Sequence, residues 1–482
     1  MLGGKKMFYG REDLMSQLNA LWSKRIASLV TCRGRRRVGK STLIRRFAEK
    51  SHARFIKIEG ERPQKGTTRA TELLTFADQL SAQTGAERTP PQAWLDAFIR
   101  LSREISDDVR TVVLLDEVSW LAFGEERFAN ILRIAWENYL KLHDRLVLVV
   151  CGSVSSWIKD EIIDNGAYMG RRSLDVVVPE LPLHECVKFW GKAVDRWTVN
   201  DIVDVLSVTG GVPRYLEEIE TALSPAENIR RLCFLPNSVL RVDFDEMFTD
   251  VITQEPKYTA NVLRCLVDGP RSVSEIAVTM GVEKSGRISG ALAQLAEAGF
   301  VSPDAGRNPE TGAPVRELRY RLRDNYARFY LKYIEPAKTV IDGGSYGFSG
   351  MDQLDGWETV LGYQFENLVL NNYRDLLPAL HLERVLIHSA APYRRTGKGG
   401  AGLQVDLLLQ AKFSYCVVEI KRWRTKIGQE VIEEVREKCN RLRRPSDVSL
   451  RTALVYAGEL ARTVEASGYF DAIVSASDLL GL

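Results

Sequence analysis

A glycine loop between an apolar strand and a helix is the feature that most constrains the fold of this chain. The segment "SLVTCRGRRRVGKSTLIRRF" reads as a strand from about Ile26 to Cys32, a loop, and a helix from about Lys40 to Glu49. Gly34 to Ser41 fits the pattern G-x-x-x-x-G-K-[ST], which requires this strand-loop-helix context. The glycines let backbone amides approach phosphate groups, and the helix N-terminus adds partial positive charge. The sequence therefore predicts a parallel α/β sheet that holds a phosphate-bearing ligand.

The loop residues have distinct predicted roles in holding a nucleotide. Gly34 and Gly39 give the backbone room beside the phosphates, and Lys40 reaches the β and γ phosphates. Ser41 can ligate Mg²⁺, and Thr42 beside it completes the cofactor-binding candidates of this segment. A chance match in a turn rich in glycine and lysine is the alternative, and the apolar strand ahead of the loop argues against it.

Two further apolar strands end in polar residues suited to the same ligand. The segment "TVVLLDEVSWL" is a continuous apolar run, typical of a central parallel strand, and it leads into Asp116 and Glu117. Asp116 would hold Mg²⁺ through water, and Glu117 is placed to polarise the water that attacks ATP. The segment "RLVLVVCGS" ends at Ser153, whose hydroxyl is suited either to sensing the γ-phosphate or to capping a following helix. Together with the glycine loop, these strands predict a nucleoside triphosphatase.

Six segments extend this pattern over the first half of the chain. They are "FYGREDLMSQL", "GRRRVGKSTL", "LLDEVSWL", "CGSVSSWI", "GRRSLDVVVPELPL" and "TGGVPRYLEEI". In this order they resemble the archaeal-type P-loop ATPases of the STAND branch, relatives of the AAA proteins. The resemblance implies that Phe8, Gly10 and Arg11 lie near the adenine of ATP, that Arg171 faces the phosphates, and that Pro213 packs on the nucleotide from a helical lid. A plain turn between two helices explains Pro213 equally well.

Two departures from the AAA pattern bear on assembly. The sensor strand ends in Ser153 where AAA proteins have Asn, and no clear trans-acting arginine finger is visible. The oligomeric state is therefore left open. The preference for ATP over GTP rests on the resemblance, since no guanine-reading motif is visible.

The middle of the chain has the element order of a winged helix-turn-helix. Residues 180–250 read as the amphipathic helices of a lid. Helices from Tyr258 to Val267, from Ser274 to Met280 and from about Lys284 to Ala298 follow, and two strands come after them. Lys284 and Arg287 would begin the helix that enters a DNA major groove.

The predicted wing is basic. Its arginines, which could touch phosphates, are Arg307, Arg316, Arg319 and Arg321. A protein-docking or hinge role fits the same sequence, because "SGRISGALAQL" has few side chains long enough to read bases.

Near the C-terminus, the segment "LQVDLLLQAKFSYCVVEIKRW" reads as two β-runs, Leu403 to Leu409 and Ser414 to Trp423, around a short turn. Opposed residues of an antiparallel hairpin share a face and lie equally far from the centre of the turn. Asp406 and Glu419 satisfy this condition for a turn near residues 412 and 413, so they would face each other. Lys421 lies two residues beyond Glu419 and so shares its face. Two carboxylates that hold Mg²⁺ and an ammonium beside them are the groups that metal-dependent phosphodiester hydrolysis needs.

Asp406, Glu419 and Lys421 match the D…ExK signature of restriction-endonuclease-like nucleases, and Glu366, on a predicted helix, matches the acidic residue on that fold's first helix. Val405 stands where that family usually has Pro, so the motif is incomplete at a structural position. The resemblance implies a catalytic role for all four polar residues. A solvent-exposed hairpin with a Glu/Lys cross-strand pair is the alternative, and related domains can lose cleavage while still binding DNA.

Composition limits the remaining classes of protein. The chain has 66 Lys and Arg against 63 Asp and Glu, and this balance alone does not argue for nucleic acid. Seven scattered cysteines without a CxxC pair predict a reduced, cytosolic protein. No apolar run is long enough to cross a bilayer, so no membrane association is expected.

The predicted organisation is an α/β P-loop sheet with a helical lid, a winged helix and a restriction-endonuclease-like α/β domain. The boundaries are 1–178 for the ATPase core, 179–252 for the lid, 253–338 for the winged helix, 339–356 for a linker and 357–482 for the nuclease-like domain. The predicted function couples ATP hydrolysis, with ATP and Mg²⁺, to nucleic-acid binding and Mg²⁺-dependent cleavage, with DNA favoured. The alternative is an ATP-driven switch that binds DNA or, through the winged helix, a protein partner, with an inactive nuclease-like domain.

Overall fold

The computed structural model describes residues 8–153, 155–252, 255–395 and 402–482, without the side chains of residues 155, 156 and 251. The glycine-rich basic segment "RRTGKGGAG", which comes just before the β-run from Leu403, therefore lies mostly outside the described residues. The chain divides into one unit of Gly10–Glu180 and another of Leu181–Leu482 with the residues up to Tyr9. The division into five domains stays a prediction.

A parallel sheet organises the unit Gly10–Glu180. Its strands are β1 (Ser28–Arg33), β2 (Arg54–Glu59), β3 (Thr111–Asp116), β4 (Leu146–Gly152) and β5 (Arg172–Val177). Its helices are α1 (Glu12–Ala20), α2 (Lys40–Lys50), α3 (Arg69–Thr84), α4 (Trp94–Arg103), α5 (Val118–Leu121), α6 (Phe128–Asn138) and α7 (Ser155–Ile158). The strand order is β2-β3-β4-β1-β5, and every neighbouring pair is parallel.

The apolar runs form the middle of this sheet, as their composition predicts. Every residue of β3 and β4 is buried, because helices cover both faces of a parallel sheet. The strand before the glycine loop begins at Ser28 rather than Ile26, since Ile26 is exposed and lies ahead of the sheet. All seven cysteines are free in this structure.

The second unit begins with helices and a small sheet. Its helices up to residue 342 are α8 (Leu183–Cys186), α9 (Val199–Thr209), α10 (Pro213–Leu216), α11 (Pro225–Cys233), α12 (Val239–Val251), α13 (Pro256–Arg264), α14 (Val273–Met280), α15 (Gly286–Glu297), α16 (Asn325–Phe329) and α17 (Glu335–Asp342). The strands β6 (Arg271–Ser272), β7 (Val301–Pro303) and β8 (Arg319–Leu322) pair antiparallel in the order β6-β8-β7. Helix α14 is capped by Ser272, whose side chain accepts a hydrogen bond from the backbone of Glu275.

A mixed five-stranded sheet forms the C-terminal part. Its elements are α18 (Trp357–Asn371), β9 (Ser389–Arg395), β10 (Leu403–Gln410), β11 (Ser414–Arg422), α19 (Glu430–Arg441), β12 (Ser449–Ala457), α20 (Arg462–Ala466), β13 (Ala472–Ser475) and α21 (Ala476–Leu480). The order is β13-β12-β11-β10-β9. Strand β10 is antiparallel to both of its neighbours, β9 and β11, whereas β11, β12 and β13 run parallel to one another.

The hairpin register agrees with the spacing argument. Leu407 pairs with Val418 and Gln410 with Tyr415, which is the register that opposes residues 406 and 419. Val418 and Ile420 lie in the hydrophobic core on the other face of β11.

Buried polar contacts join β8 and α16 to α18, the helix that carries Glu366. Asn325 and Gln364 exchange amide hydrogen bonds with each other's backbone carbonyls at 3.1 and 2.7 Å. Asn367 donates to the carbonyl of Leu322 at 2.7 Å and accepts from the guanidinium of Arg321. Breaking one of these buried pairs would leave a partner unsatisfied, so the network ties the small sheet firmly to α18.

Candidate functional site

The glycine loop is shaped by backbone conformations that favour glycine. Gly39 has a φ of +87° and Gly34 a φ of +151°. A Cβ atom added to Gly34 would lie 2.4 Å from the carbonyl oxygen of Val178, a separation that real Cβ atoms do not reach. Glycine is therefore required at the first position by packing and at the second by its left-handed backbone.

Lys40, Ser153 and Glu117 form one hydrogen-bonded chain. The ammonium of Lys40 donates to the carbonyls of Gly34 and Arg35 at 3.0 and 3.1 Å and to Oγ of Ser153 at 3.0 Å. Ser153 in turn donates its hydroxyl to Oε1 of Glu117 at 2.7 Å and its backbone N–H to Oε2 at 3.1 Å. The structure thus brings together the predicted phosphate-binding, sensing and water-polarising residues, and Ser153 lies between the other two.

Ser41 and Asp116 are adjacent, as expected for residues that share a metal ion. Oγ of Ser41 donates to Oδ2 of Asp116 at 2.6 Å, and Asp116 is only 3% exposed. A hydroxyl and a carboxylate are hard oxygen ligands of the kind Mg²⁺ takes beside nucleotide phosphates, so these two residues fit the ion. When bound, Mg²⁺ would neutralise phosphate charge at this point.

Lys57 on β2 is a residue of this site that sequence reasoning missed. Its Nζ lies 3.0 Å from Oδ2 of Asp116 and 2.6 Å from Oε2 of Glu59. Burial alone would lower the pKa of Lys57, but the two carboxylates raise it above its ordinary value. The signal in the sequence was a lysine between apolar residues of a strand. It indicates a contact with Asp116 only once β2 and β3 are known to be neighbours in the sheet.

The remaining predicted nucleotide residues have other partners in this structure. Arg11 donates to the carbonyls of Val38 at 3.2 Å and Glu180 at 3.4 Å, and Thr42 lies in the first turn of α2. Arg171 donates its Nε to Oε1 of Glu137 at 2.7 Å. Phe8 and Pro213, the latter at the start of α10, belong to the second unit. The roles of these residues at the adenine, the phosphates and the lid stay predictions.

The C-terminal candidates line one cavity of about 930 Å³, which contains Glu366, Asp406, Glu419 and Lys421. Oδ2 of Asp406 accepts a hydrogen bond from the backbone N–H of Ile420 at 3.0 Å, which fixes the carboxylate against β11.

Crowded acids dominate the electrostatics of this cavity. Burial together with the charge of Glu419 raises the pKa of Asp406 to about 6. Burial together with the charge of Asp406 raises the pKa of Glu366 to about 7. Like charges in a poorly solvated cavity destabilise each other, and a divalent cation would relieve this repulsion.

Helix α19 adds two residues that sequence reasoning missed. Lys438 forms an ion pair with Oε2 of Glu419, while Lys421 lies 3.0 Å from Oε1 of the same carboxylate. Glu419, which is 1% exposed, therefore lies between two ammonium groups. Glu434 accepts a hydrogen bond from Lys421 at 2.7 Å. Burial would lower the pKa of Lys421, but Glu419 and Glu434 raise it above its ordinary value.

The donors fit Mg²⁺ as a partial ligand set. Asp406 and Glu419 are hard oxygen donors, and Mg²⁺ commonly takes one or two protein carboxylates with water and phosphate oxygens. Among the described residues, no three His, Cys, Asp or Glu side chains gather into a cluster that could hold a metal ion. Val405, the residue in place of the family's Pro, is fully buried.

Three of the arginines that were predicted to contact DNA differ in exposure and form ion pairs with acidic residues. Arg321 is 7% exposed and lies 3.6 Å from Oδ1 of Asp304, so the expectation that it touches phosphates is wrong. Arg319 is held by Glu275 at 2.7 Å. At the start of α15, Arg287 pairs with Glu255 at 2.7 Å and lies over the ring of Tyr258.

Comparisons with known proteins support the interpretation of the N-terminal part of the chain, which contains the glycine loop. Residues 8–219 match a family described as an ATPase domain predominantly from Archaea. An uncharacterized protein of Methanocaldococcus jannaschii is 22% identical over 372 residues, which cover 75% of this chain and 76% of that protein.

Two solved structures are similar at low sequence identity. The Walker-type ATPase of Pyrococcus abyssi gives a TM-score of 0.52 at 17% identity, over 67% of this chain and 96% of that one. The ORC2 protein of Aeropyrum pernix, in its ADPNP-ADP complexes, gives a TM-score of 0.45 at 15% identity, over 69% of this chain and 94% of that one.

The family match, together with the geometry around Lys40 and Asp116, supports ATP binding and hydrolysis by the N-terminal part of the chain. The similarity to the Pyrococcus structure shows that the chain shares the fold of that protein. No helix within the described ranges has the length and apolar character needed to cross a membrane.

Proposed function

We propose that this protein is an ATPase that controls a Mg²⁺-dependent nuclease-like domain acting on nucleic acid, with DNA the favoured substrate. The observation that carries the proposal is the cavity in which Glu366, Asp406, Glu419 and Lys421 meet. In it, Asp406 and Glu419 would hold Mg²⁺, and Lys421 would orient water or offset charge on the phosphate. The helix, three antiparallel strands, helix and parallel strand around the cavity support the resemblance to restriction-endonuclease-like domains.

A winged helix-turn-helix formed by α13, α14, α15 and the β6-β8-β7 sheet is part of this proposal. The element order supports it, and Lys284, Ser285 and Arg287 are exposed at the start of α15. Of these, Lys284 and Ser285 offer the freest contacts, because Arg287 is engaged by Glu255. The buried contacts of Asn325 and Gln364 would transmit displacement of the winged helix to the helix that carries Glu366.

A cleavage assay tests the nuclease proposal. Linear, circular and single-stranded DNA and an RNA are incubated with ATP and Mg²⁺ or Mn²⁺. Wild type is compared with Asp406→Ala, Glu419→Ala, Lys421→Ala and Lys40→Ala. We expect Asp406→Ala and Lys421→Ala to lower cleavage at least about a hundredfold, the usual effect of removing one transition-state contact. Lys40→Ala should abolish ATP hydrolysis and remove the ATP dependence of cleavage. Products that are the same for Glu419→Ala and wild type, or no product at all, would overturn the nuclease proposal.

The second candidate function is an ATP-driven switch that binds DNA or a protein without cutting it. The pairing of Glu419 with both Lys421 and Lys438 favours it, because these contacts already neutralise the carboxylate that a metal would use. Nucleic-acid binding that survives Lys421→Ala, responds to Lys40→Ala and yields no cleavage product would support this function instead.

A further inference from the structure

The amino-terminal edge of the parallel sheet carries a second positively charged site. Arg25, Arg110 and Arg145 lie just before β1, β3 and β4, which are neighbours in the order β3-β4-β1. Adjacent strands lie about 4.8 Å apart, so the backbone positions of the three arginines span roughly 10 Å. The strands end at the opposite edge, where Asp116 and Ser153 lie, and β3, with six residues, is about 20 Å long. This arginine site is therefore separate from the glycine loop.

The three arginines line a cavity of about 500 Å³ together with Leu21, Trp22 and Asp144. None of the three guanidinium groups forms an ion pair with a carboxylate in the part of the chain that the structure describes. Arg145 has a backbone partner, the carbonyl of Asp108 at 2.5 Å. The residues that line the cavity thus carry three positive charges and one negative charge, that of Asp144, and all four of these side chains are exposed.

Trp22 makes the site more than a group of mobile surface side chains. Its ring stacks on Phe47 at 5.6 Å, and the guanidinium of Arg110 lies over it at 5.2 Å. This stacking holds the Arg110 guanidinium near the ring. The indole N–H of Trp22 is shielded from solvent and has no hydrogen-bond partner among the described residues. Because Phe47 and Arg110 both pack on the ring, the indole is suited to holding an arginine rather than to stacking on a base.

We propose that this arginine site binds phosphate groups. Guanidinium forks match phosphate oxygens in bidentate geometry, and the cavity supplies donors from three of them. The phosphate groups can belong to the backbone of a nucleic-acid strand or to a free polyphosphate. The site does not depend on the nuclease proposal, and each can fail without the other.

The test uses the full chain with Lys40→Ala, which weakens phosphate binding at the glycine loop. The double variant Arg25→Glu and Arg145→Glu removes the site. The matched control is the double variant Lys65→Glu and Arg127→Glu, because both residues are exposed and follow the carboxyl ends of β2 and β3, at the opposite edge of the sheet. The probes are inorganic tripolyphosphate, a short oligothymidylate and an oligoglutamate, with binding measured by calorimetry. Arg25→Gln with Arg145→Gln and the melting temperature of each variant report on folding.

We expect at least about a tenfold loss of affinity for tripolyphosphate in the site variant and no change in the control variant, because two charged hydrogen-bonding groups are removed. The same selective loss with oligothymidylate alone would assign the phosphates to a nucleic-acid strand. Equal losses in both variants, no binding of either phosphate probe by the parent, or site-selective binding of oligoglutamate alone would overturn the proposal.

Discussion

Replacing Lys438 with methionine should tighten metal binding at the C-terminal cavity. Lys438 pairs with Oε2 of Glu419, the carboxylate that a metal would use, and its side chain is 21% exposed. Two unit charges 4 Å apart interact by about 4 kcal/mol at an effective dielectric constant of 20. Because water reaches the lysine, we take about 1.4 to 3 kcal/mol of this as effective, which corresponds to roughly a tenfold to hundredfold lower Kd.

Mn²⁺ binding measures this effect without any need for cleavage. Calorimetry or electron paramagnetic resonance without nucleotide compares wild type, Lys438→Met and Arg436→Met. Arg436 is the matched control, since it is a cation on the same helix whose partner is Glu433 and whose side chain is 48% exposed. Asp406→Asn, which removes a carboxylate, should weaken binding. An unchanged or weaker Mn²⁺ affinity in Lys438→Met would refute the view that Lys438 competes with a metal ion for Glu419.

Three further outcomes follow from the contacts described above. Ser153→Ala should lower the kcat of ATP hydrolysis about tenfold, because the hydroxyl that holds Glu117 is lost while the backbone hydrogen bond remains; an unchanged kcat would contradict this role. Arg422→Met should lower stability by about 3 kcal/mol, because it removes the nearest counter-charge of Asp204, whose pKa burial raises to about 6 although Arg422 and Arg424 oppose that rise. Adding Asp204→Leu should restore most of this loss in denaturation experiments, and additive losses would argue against the pairing. Glu72→Gln should increase stability at pH 8 by about 1 to 3 kcal/mol, seen as a higher melting temperature, and should have little effect near pH 4. Burial raises the folded-state pKa of Glu72 to about 7, so the stability of the wild type falls as the pH rises toward 7. Equal shifts in melting temperature at both pH values would count against this cause.

Local patterns predicted much of the two candidate sites. Gly34 to Ser41 fits a pattern that occurs between a strand and a helix, and the apolar run before Asp116 is typical of a buried parallel strand. Strand alternation and a short turn were sufficient to oppose Asp406 and Glu419, because a hairpin register depends on residues close in sequence.

Other features depended on contacts between distant segments. Lys57 meets Asp116 only because β2 and β3 are neighbours in the sheet. Lys438 reaches Glu419 only because α19 packs beside β11, and in the sequence it is one of several charges on an amphipathic helix. In the sequence, Arg321 cannot be told apart from the other wing arginines, because its burial depends on packing against α18, where it contacts Asn367.

Patterns within the sequence are enough to predict the elements and the chemistry at their ends: the phosphate loop, the acidic strand ends and the carboxylates with Lys421 on one face of a hairpin. These depend on backbone conformation and side-chain periodicity, which act over a few residues. Which charges come together depends on packing between distant segments, as for Lys438 at Glu419 and for Arg25, Arg110 and Arg145 along one edge of the sheet. Strand order and helix docking bring together residues that are far apart in the chain, and burial then sets how strongly their charges interact.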